Sequence, residues 1–130
     1  MEKKIDFQIN LNYFSAEEFN QPGAPESWRK MDLNLLMILD NMRAYSEIPY
    51  KITSAYRSPE YNKKLKNSSP NSSHCKGRAV DIYAPDSKTK YLIVKAALHY
   101  GISRIGIMDK AVHIDIDDIE KPDKVIWTYY

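Results

Sequence analysis

Apolar and polar residues recur along the chain with two different periods, and together they predict an α+β fold. Apolar side chains return every three to four positions across residues 28–46, which is the spacing of an amphipathic helix. A strict two-residue alternation at residues 79–83 and 111–117 is typical of half-buried strands. Helices are predicted at residues 16–19, 28–46, 60–66 and 88–100, and strands at residues 50–55, 79–83, 104–108, 111–117 and 125–129.

The order of these elements favours an antiparallel sheet flanked by helices, because most strands follow one another after the first helices. Asp109-Lys110 separates two strands by the length of a hairpin turn. Ser58-Pro59 has the serine cap and first-turn proline that start a helix. A looser alternation at residues 5–11 would suit an edge strand. We expect one domain over residues 1–130.

Composition narrows the class of protein without identifying it. The chain has 130 residues, of which 43% are apolar and 28% charged, as in a soluble globular domain. A formal net charge of +2, with no block of basic residues, argues against a nucleic-acid partner. No apolar run has the length of a membrane span. Cys75 is the single cysteine, so an internal disulfide is excluded.

Three residues have the types and positions of metal ligands. His74 and Asp81 lie on either side of Gly77, and Asp81 faces away from the apolar residues of its strand. His113 lies on the polar face of a second alternating strand. Two imidazoles and a carboxylate suit zinc, and a catalytic zinc site uses three protein ligands and one open position. Cys75 adjoins His74, but neighbouring residues of an extended chain point in opposite directions.

These residues also resemble a known family. The pattern Ser72-x-His74-x-x-Gly77-x-Ala79-x-Asp81, followed by a later strand with a histidine, resembles the zinc D-alanyl-D-alanine peptidase family. That family groups peptidoglycan carboxypeptidases, phage endolysins and vancomycin-resistance dipeptidases, and its fold is similar to the hedgehog signalling domain. Residues 52–62 resemble its strand-then-helix block. The likeness covers roughly residues 14–129, in four separate blocks.

The resemblance implies a role for each of these positions. His74, Asp81 and His113 would bind Zn²⁺. Arg57 falls at the position of the active-site arginine, where its fork of donors suits a substrate carboxylate or a developing oxyanion. Ser72 would hydrogen-bond the substrate, or it would cap the loop that leads to the first histidine.

The general base is the position at which the chain departs from the family pattern. Relatives often have Glu or Asp three residues before the last ligand, and this chain has Lys110 there. Asp109, one residue further back, and Asp115, on the same strand face as His113, are the two candidates for the catalytic base. The alternatives are that Asp115 orients a ligand histidine and that Asp109 is only a turn residue.

The function implied is a zinc-dependent peptidase that hydrolyses amide bonds in peptidoglycan stem peptides. It would act as a D,D- or L,D-carboxypeptidase or as an endopeptidase, through a metal-activated water. The alternative is a non-catalytic zinc-containing binding or structural module on the same fold. The first residues of the chain lack the apolar core of a signal peptide, so we expect cytoplasmic synthesis, in a bacterium or from a phage, and release to the cell wall by another route.

Overall fold

The computed structural model describes residues 10–66 and 68–129, and in these ranges it has helices and a single five-stranded sheet. The alternation at residues 5–11 falls almost wholly outside them. The α-helices are α1 (Leu33–Ser46), α2 (Pro59–Lys64) and α3 (Ser87–His99), with 3-10 helices at Ala16–Phe19, Ser27–Lys30 and Ser73–Lys76. The strands are β1 (Ile52–Ser54), β2 (Ala79–Tyr83), β3 (Arg104–Ile107), β4 (Ala111–Asp115) and β5 (Val125–Thr128). Within the described ranges, no helix has the length and apolar character needed to cross a bilayer.

The sheet has the strand order β1-β2-β4-β3-β5. The antiparallel pairs are β1–β2, β2–β4 and β4–β3. Asp109-Lys110 forms the tight turn of the β3–β4 hairpin, in which the Met108 amide donates a hydrogen bond to the Ala111 carbonyl oxygen. The predicted α+β class is confirmed. One pair differs from the antiparallel expectation, because β5 returns along the outer edge of β3 in the parallel direction.

The core lies on one face of the sheet, where α1 and α3 pack together and cover it. The sheet contributes fully or almost fully buried apolar side chains from alternate positions: Val80, Ile82, Ile105, Val112 and Ile114. Each such side chain stabilises the fold by about 1.5–3 kcal/mol relative to exposure. Because side chains alternate across a strand, the intervening positions of β2, β3 and β4 all point to the opposite face.

The long helix predicted over residues 28–46 is divided in two. The first part is the 3-10 helix Ser27–Lys30, and α1 begins only at Leu33. Asp32 causes the break, since its carboxylate accepts hydrogen bonds from the amides of Asn34, at 2.8 Å, and Leu35, at 3.3 Å. A side chain that caps free amides in this way starts a new helix more readily than it continues an old one.

Gly77 fixes the 3-10 helix Ser73–Lys76 against the start of α1. Its φ is +70°, and a Cβ at this position would lie 1.9 Å from the carbonyl oxygen of Lys30. The Gly77 carbonyl in turn accepts a hydrogen bond from the Asp32 amide at 2.8 Å. Only glycine satisfies both the left-handed backbone and the close approach of the two segments.

We predict that Gly77→Ala destabilises the protein much more than Gly101→Ala. Both glycines have positive φ, at +70° and +81°, but a Cβ on Gly101 would meet no atom within 4 Å. Backbone strain alone costs about 1–3 kcal/mol and applies to both variants, whereas the collision applies to Gly77 alone. Urea denaturation should show a loss of unfolding free energy at least about 2 kcal/mol larger for Gly77→Ala. Equal losses would contradict this account of the contact.

Candidate metal centre

Two of the predicted ligands come from neighbouring strands on the face of the sheet opposite the core. Asp81 of β2 and His113 of β4 are directly opposite each other in the antiparallel register. Both side chains are buried, and the Nδ1 atom of His113 lies 2.9 Å from the Oδ1 atom of Asp81. The alternation of the two strands therefore places an imidazole against a carboxylate through sheet pairing alone.

The third ligand, His74, is brought to this pair by the 3-10 helix Ser73–Lys76. Ser72 caps that helix, with its hydroxyl oxygen accepting the His74 amide at 3.2 Å. The Nδ1 atom of His74 lies 2.7 Å from the carbonyl oxygen of Ala55, which can only accept a hydrogen bond. That contact places the ring proton on Nδ1, so that Nε2 faces Asp81 Oδ1 at 3.4 Å with its lone pair.

His113 is fixed in the same manner from its other side. Its Nε2 atom lies 2.7 Å from Oδ2 of Asp115, an acceptor, so its Nδ1 atom is left to face Asp81. The three donor atoms of His74, Asp81 and His113 lie within 4.8 Å of one another. Two imidazoles and a carboxylate that converge in a buried site have the donor types of a zinc site, so these three residues could hold a metal ion.

The pKa shifts of Asp81 and His113 both favour a positive charge next to the Asp81 carboxylate. Burial by itself would raise the pKa of Asp81, but hydrogen bonds with His113 and His74 bring it well below its usual range. Burial lowers the pKa of His113, yet its contacts with Asp115 and Asp81 raise it above the ordinary value overall. The raised pKa favours a proton on His113 Nδ1, the atom that faces Asp81. A metal ion would bind the same atom, so the proton and the metal ion compete for it.

His74, Asp81 and His113 line a cavity of about 660 Å³. The lining combines basic and polar side chains with apolar ones. The basic and polar residues include Arg57, Lys66, Ser68, Ser69, Ser72, Ser73, Arg104 and Lys121, and the apolar ones include Leu65, Met108, Trp127 and Tyr129. A peptide laid across the cluster would therefore meet both hydrogen-bond donors and aromatic rings.

Arg57 occupies the position that the sequence predicts, beside the cluster. Its Nε atom donates to Ser54 Oγ and its Nη1 atom to Asn62 Oδ1, both at 3.1 Å. Its Nη2 atom lies 3.8 Å from Asp81 Oδ2. The guanidinium is thus held in one orientation and presents its remaining donors to the cavity. Ser72 lines the cavity as well as capping the helix, so both predicted roles of its hydroxyl are compatible with the geometry.

The two candidate bases are in very different environments. Asp115 is 1% exposed, and its Oδ1 atom binds Arg104 Nε at 2.6 Å and the Asp117 amide at 3.1 Å, while Oδ2 meets His113. Asp109 is exposed in the hairpin turn and does not line the cavity. Among the described residues that line the cavity, the carboxylates are therefore Asp81 and Asp115, and both are engaged.

A third buried carboxylate of the site, Asp117, holds the histidine loop. Asp117 accepts hydrogen bonds from Ser73 Oγ at 2.6 Å and from Lys76 Nζ at 2.9 Å, and Lys121 Nζ lies 3.1 Å away. These contacts join the end of β4 to the 3-10 helix that contains His74. Asp117 shares the polar face of β4 in the sequence pattern, but nothing local to it indicates the partners.

The comparison with known proteins agrees with the geometry. The family model described as Peptidase M15 matches residues 12–117, a range that includes all three candidate ligands. The fold is similar to the crystal structure of the Serratia marcescens L-Ala D-Glu endopeptidase ChiX, with a TM-score of 0.56. That match covers 86% of this chain and 93% of the other at 16% sequence identity, so it shows a shared fold. None of the curated proteins matches the chain in sequence.

The family match confirms the resemblance seen in the sequence, since it includes the histidine loop, β2 and β4 in their order along the chain. It extends over most of the chain, from before the first 3-10 helix to beyond β4. The protein belongs to the Peptidase M15 family.

Proposed function

We propose that this protein is a zinc-dependent peptidase that hydrolyses amide bonds in peptidoglycan stem peptides. The observation that carries the proposal is the convergence of His74, Asp81 and His113, each histidine with its second ring nitrogen already on an acceptor. A zinc ion bound by these residues supplies Lewis acidity, which polarises a peptide carbonyl and makes water a better nucleophile. The family membership supports the peptidase reaction.

The cavity suits a peptide with a carboxylate near the bond that is cut. Arg57, Lys66 and Lys121 line it, and the described residues place no acidic side chain in the cavity beyond Asp81 and Asp115. Arg57 would bind a substrate carboxylate or the oxyanion that develops during attack. The structurally similar enzyme is an L-Ala D-Glu endopeptidase, and a glutamyl residue brings such a carboxylate. The Ser72 hydroxyl would donate a hydrogen bond to the same segment.

We assign Asp115 to the orientation of His113. Its hydrogen bonds occupy both oxygens, and it is 1% exposed, so both oxygens are already engaged by protein partners. A carboxylate on the far nitrogen of a metal-binding histidine fixes the tautomer and the ring orientation. Asp109 faces solvent at the turn, and we assign it no part in the reaction.

A second candidate function is a module that binds zinc and peptide without turnover. The specific observation in its favour is Lys110, which stands where relatives often have an acid, together with the exposed position of Asp109 outside the cavity. Cleavage of the substrate separates the two candidates, because both require the metal and only the first releases products.

The first prediction concerns metal content and turnover. Protein purified without a metal-affinity tag should contain about one zinc per chain, and His74→Ala and His113→Ala should each lose it, since each removes one of three ligands. Elemental analysis measures the content, and mass spectrometry of digested muropeptides identifies the bond that is cut. His99→Ala, which changes a histidine in α3 away from the cavity, is the matched control. Zinc without cleavage would favour the second candidate, and no zinc after reconstitution would contradict both.

The second prediction separates the two roles of Asp115. Asp115→Asn should weaken zinc binding about 10–100-fold, because the amide is a poorer acceptor for His113. Much of the activity should return at saturating zinc. Asp109→Asn should leave both zinc affinity and turnover at wild-type values. If Asp115 is instead the base, zinc affinity will hold while kcat falls about 10²–10⁴-fold at saturating zinc.

A further inference from the structure

Arg104 is the partner of Asp115 on the site face of the sheet. The two residues are directly opposite each other in the β3–β4 register, and Arg104 Nε lies 2.6 Å from Asp115 Oδ1. The Arg104 side chain is 11% exposed. A charge-assisted hydrogen bond of this length, between a buried carboxylate and a mostly buried guanidinium, holds both partners in one geometry.

The guanidinium of Arg104 is held from two further directions. Its Nη1 atom donates to the carbonyl oxygen of Pro122 at 2.6 Å. Its Cζ atom lies 5.1 Å from the centroid of the Trp127 ring, within the range of a cation–π contact. The Arg104 side chain is therefore fixed by contacts from the β3–β4 hairpin, from the loop before β5 and from β5 itself.

The Trp127 ring reaches this position because β3 has a glycine beside it. Gly106 pairs with Trp127 on one side and with His113 on the other. A Cβ on Gly106 would lie 2.8 Å from the Nε1 and Cε2 atoms of Trp127. The indole therefore lies over the Gly106 backbone, with its centroid 5.5 Å from that of the His113 ring.

These contacts act on His113 through Asp115. With Oδ1 of Asp115 held by Arg104 and the Asp117 amide, Oδ2 is directed to His113 Nε2 at 2.7 Å. That bond leaves His113 Nδ1 as the atom that faces Asp81. We propose that Arg104 is a positioning residue, which sets the orientation of Asp115 and, through it, selects Nδ1 of His113 as the metal-binding atom. The proposal rests on the proposed zinc function.

Arg104 also lines the cavity, so a direct contact with substrate is the competing role. The two roles predict different effects of replacing Arg104, one on zinc affinity and the other on KM. Acting through Asp115, Arg104 alters the affinity for zinc in the absence of any substrate. A substrate contact alters KM and leaves zinc binding unchanged.

The test is a double-mutant cycle on Arg104 and Asp115, with zinc dissociation constants measured by chelator competition without substrate. Arg104→Ala and Asp115→Asn should each weaken zinc binding about 10–100-fold, because each removes support from a ligand histidine. The double variant should be close to the weaker single variant, far from the product of the two effects, because the residues act in series. Arg104→Lys, which keeps the charge, should recover part of the affinity.

Two further measurements complete the design. The visible spectrum of the Co²⁺-loaded Arg104→Ala protein should differ from that of the wild type, since a different donor geometry changes the ligand field. Arg78→Ala is the matched control, because Arg78 pairs with Asp118 at 2.7 Å on the outside of the cavity. Its zinc affinity and Co²⁺ spectrum should equal those of the wild type. Thermal melting of each metal-free variant identifies any that fail to fold, and Arg104→Lys serves if Arg104→Ala is among them.

Several results would overturn the assignment. Wild-type zinc affinity in Arg104→Ala with a raised KM would make Arg104 a substrate contact. Independent, multiplicative effects in the double variant would show that Arg104 does not act through Asp115. A wild-type protein that binds no zinc would overturn the proposed function itself, and this result appears before any variant is compared.

Discussion

The site depends on the pairing of β2 with β4. In this register Asp81 lies opposite His113, and the same antiparallel ladder directs Val80, Ile82, Val112 and Ile114 into the core. Because side chains alternate with a period of two, a slip of one residue in either strand would turn the ligand of that strand toward the core and expose its apolar residues. The burial of the apolar face therefore holds the metal-binding residues in register, and the stability of the core and the geometry of the site have a common cause.

The site face contains buried charges where the other face contains apolar side chains. Networks of buried charges often stabilise a fold less than apolar packing of the same volume does, and removal of one partner leaves an unpaired charge. Among the described residues, each buried carboxylate at the site has cationic or hydrogen-bonding partners: Asp81 has the histidines, Asp115 has Arg104 and His113, and Asp117 has two lysines. Two of the three carboxylates contact or hold a candidate ligand, and the third fixes the loop of His74. The network thereby holds the three candidate ligands in one arrangement.

Local patterns in the sequence were sufficient for the strand faces and the candidate ligands. Alternation predicted that Asp81 and His113 point away from the core, and the structure brings them together with His74. The predicted start of the long helix, residue 28, lies before the observed start of α1 at Leu33. The apolar spacing continues through residues 28–31, but the capping by Asp32 starts a new helix after it. The parallel direction of β5 also escaped prediction, since it depends on how a loop returns across the sheet.

The supporting residues could not be found in this way, because their roles arise from contacts distant in sequence. Arg104 reads as an ordinary strand residue until β3 is aligned with β4 and β5, and Asp117 reads as a surface acid until the histidine loop is placed beside it. The measurement that tests the account most directly is anomalous diffraction at the zinc edge from crystals grown with zinc. We expect one peak within about 2.0–2.2 Å of His74 Nε2, an Asp81 oxygen and His113 Nδ1, with His113 Nε2 still on Asp115. A map with no peak at this position, or with His113 turned so that Nε2 meets the ion, would contradict it.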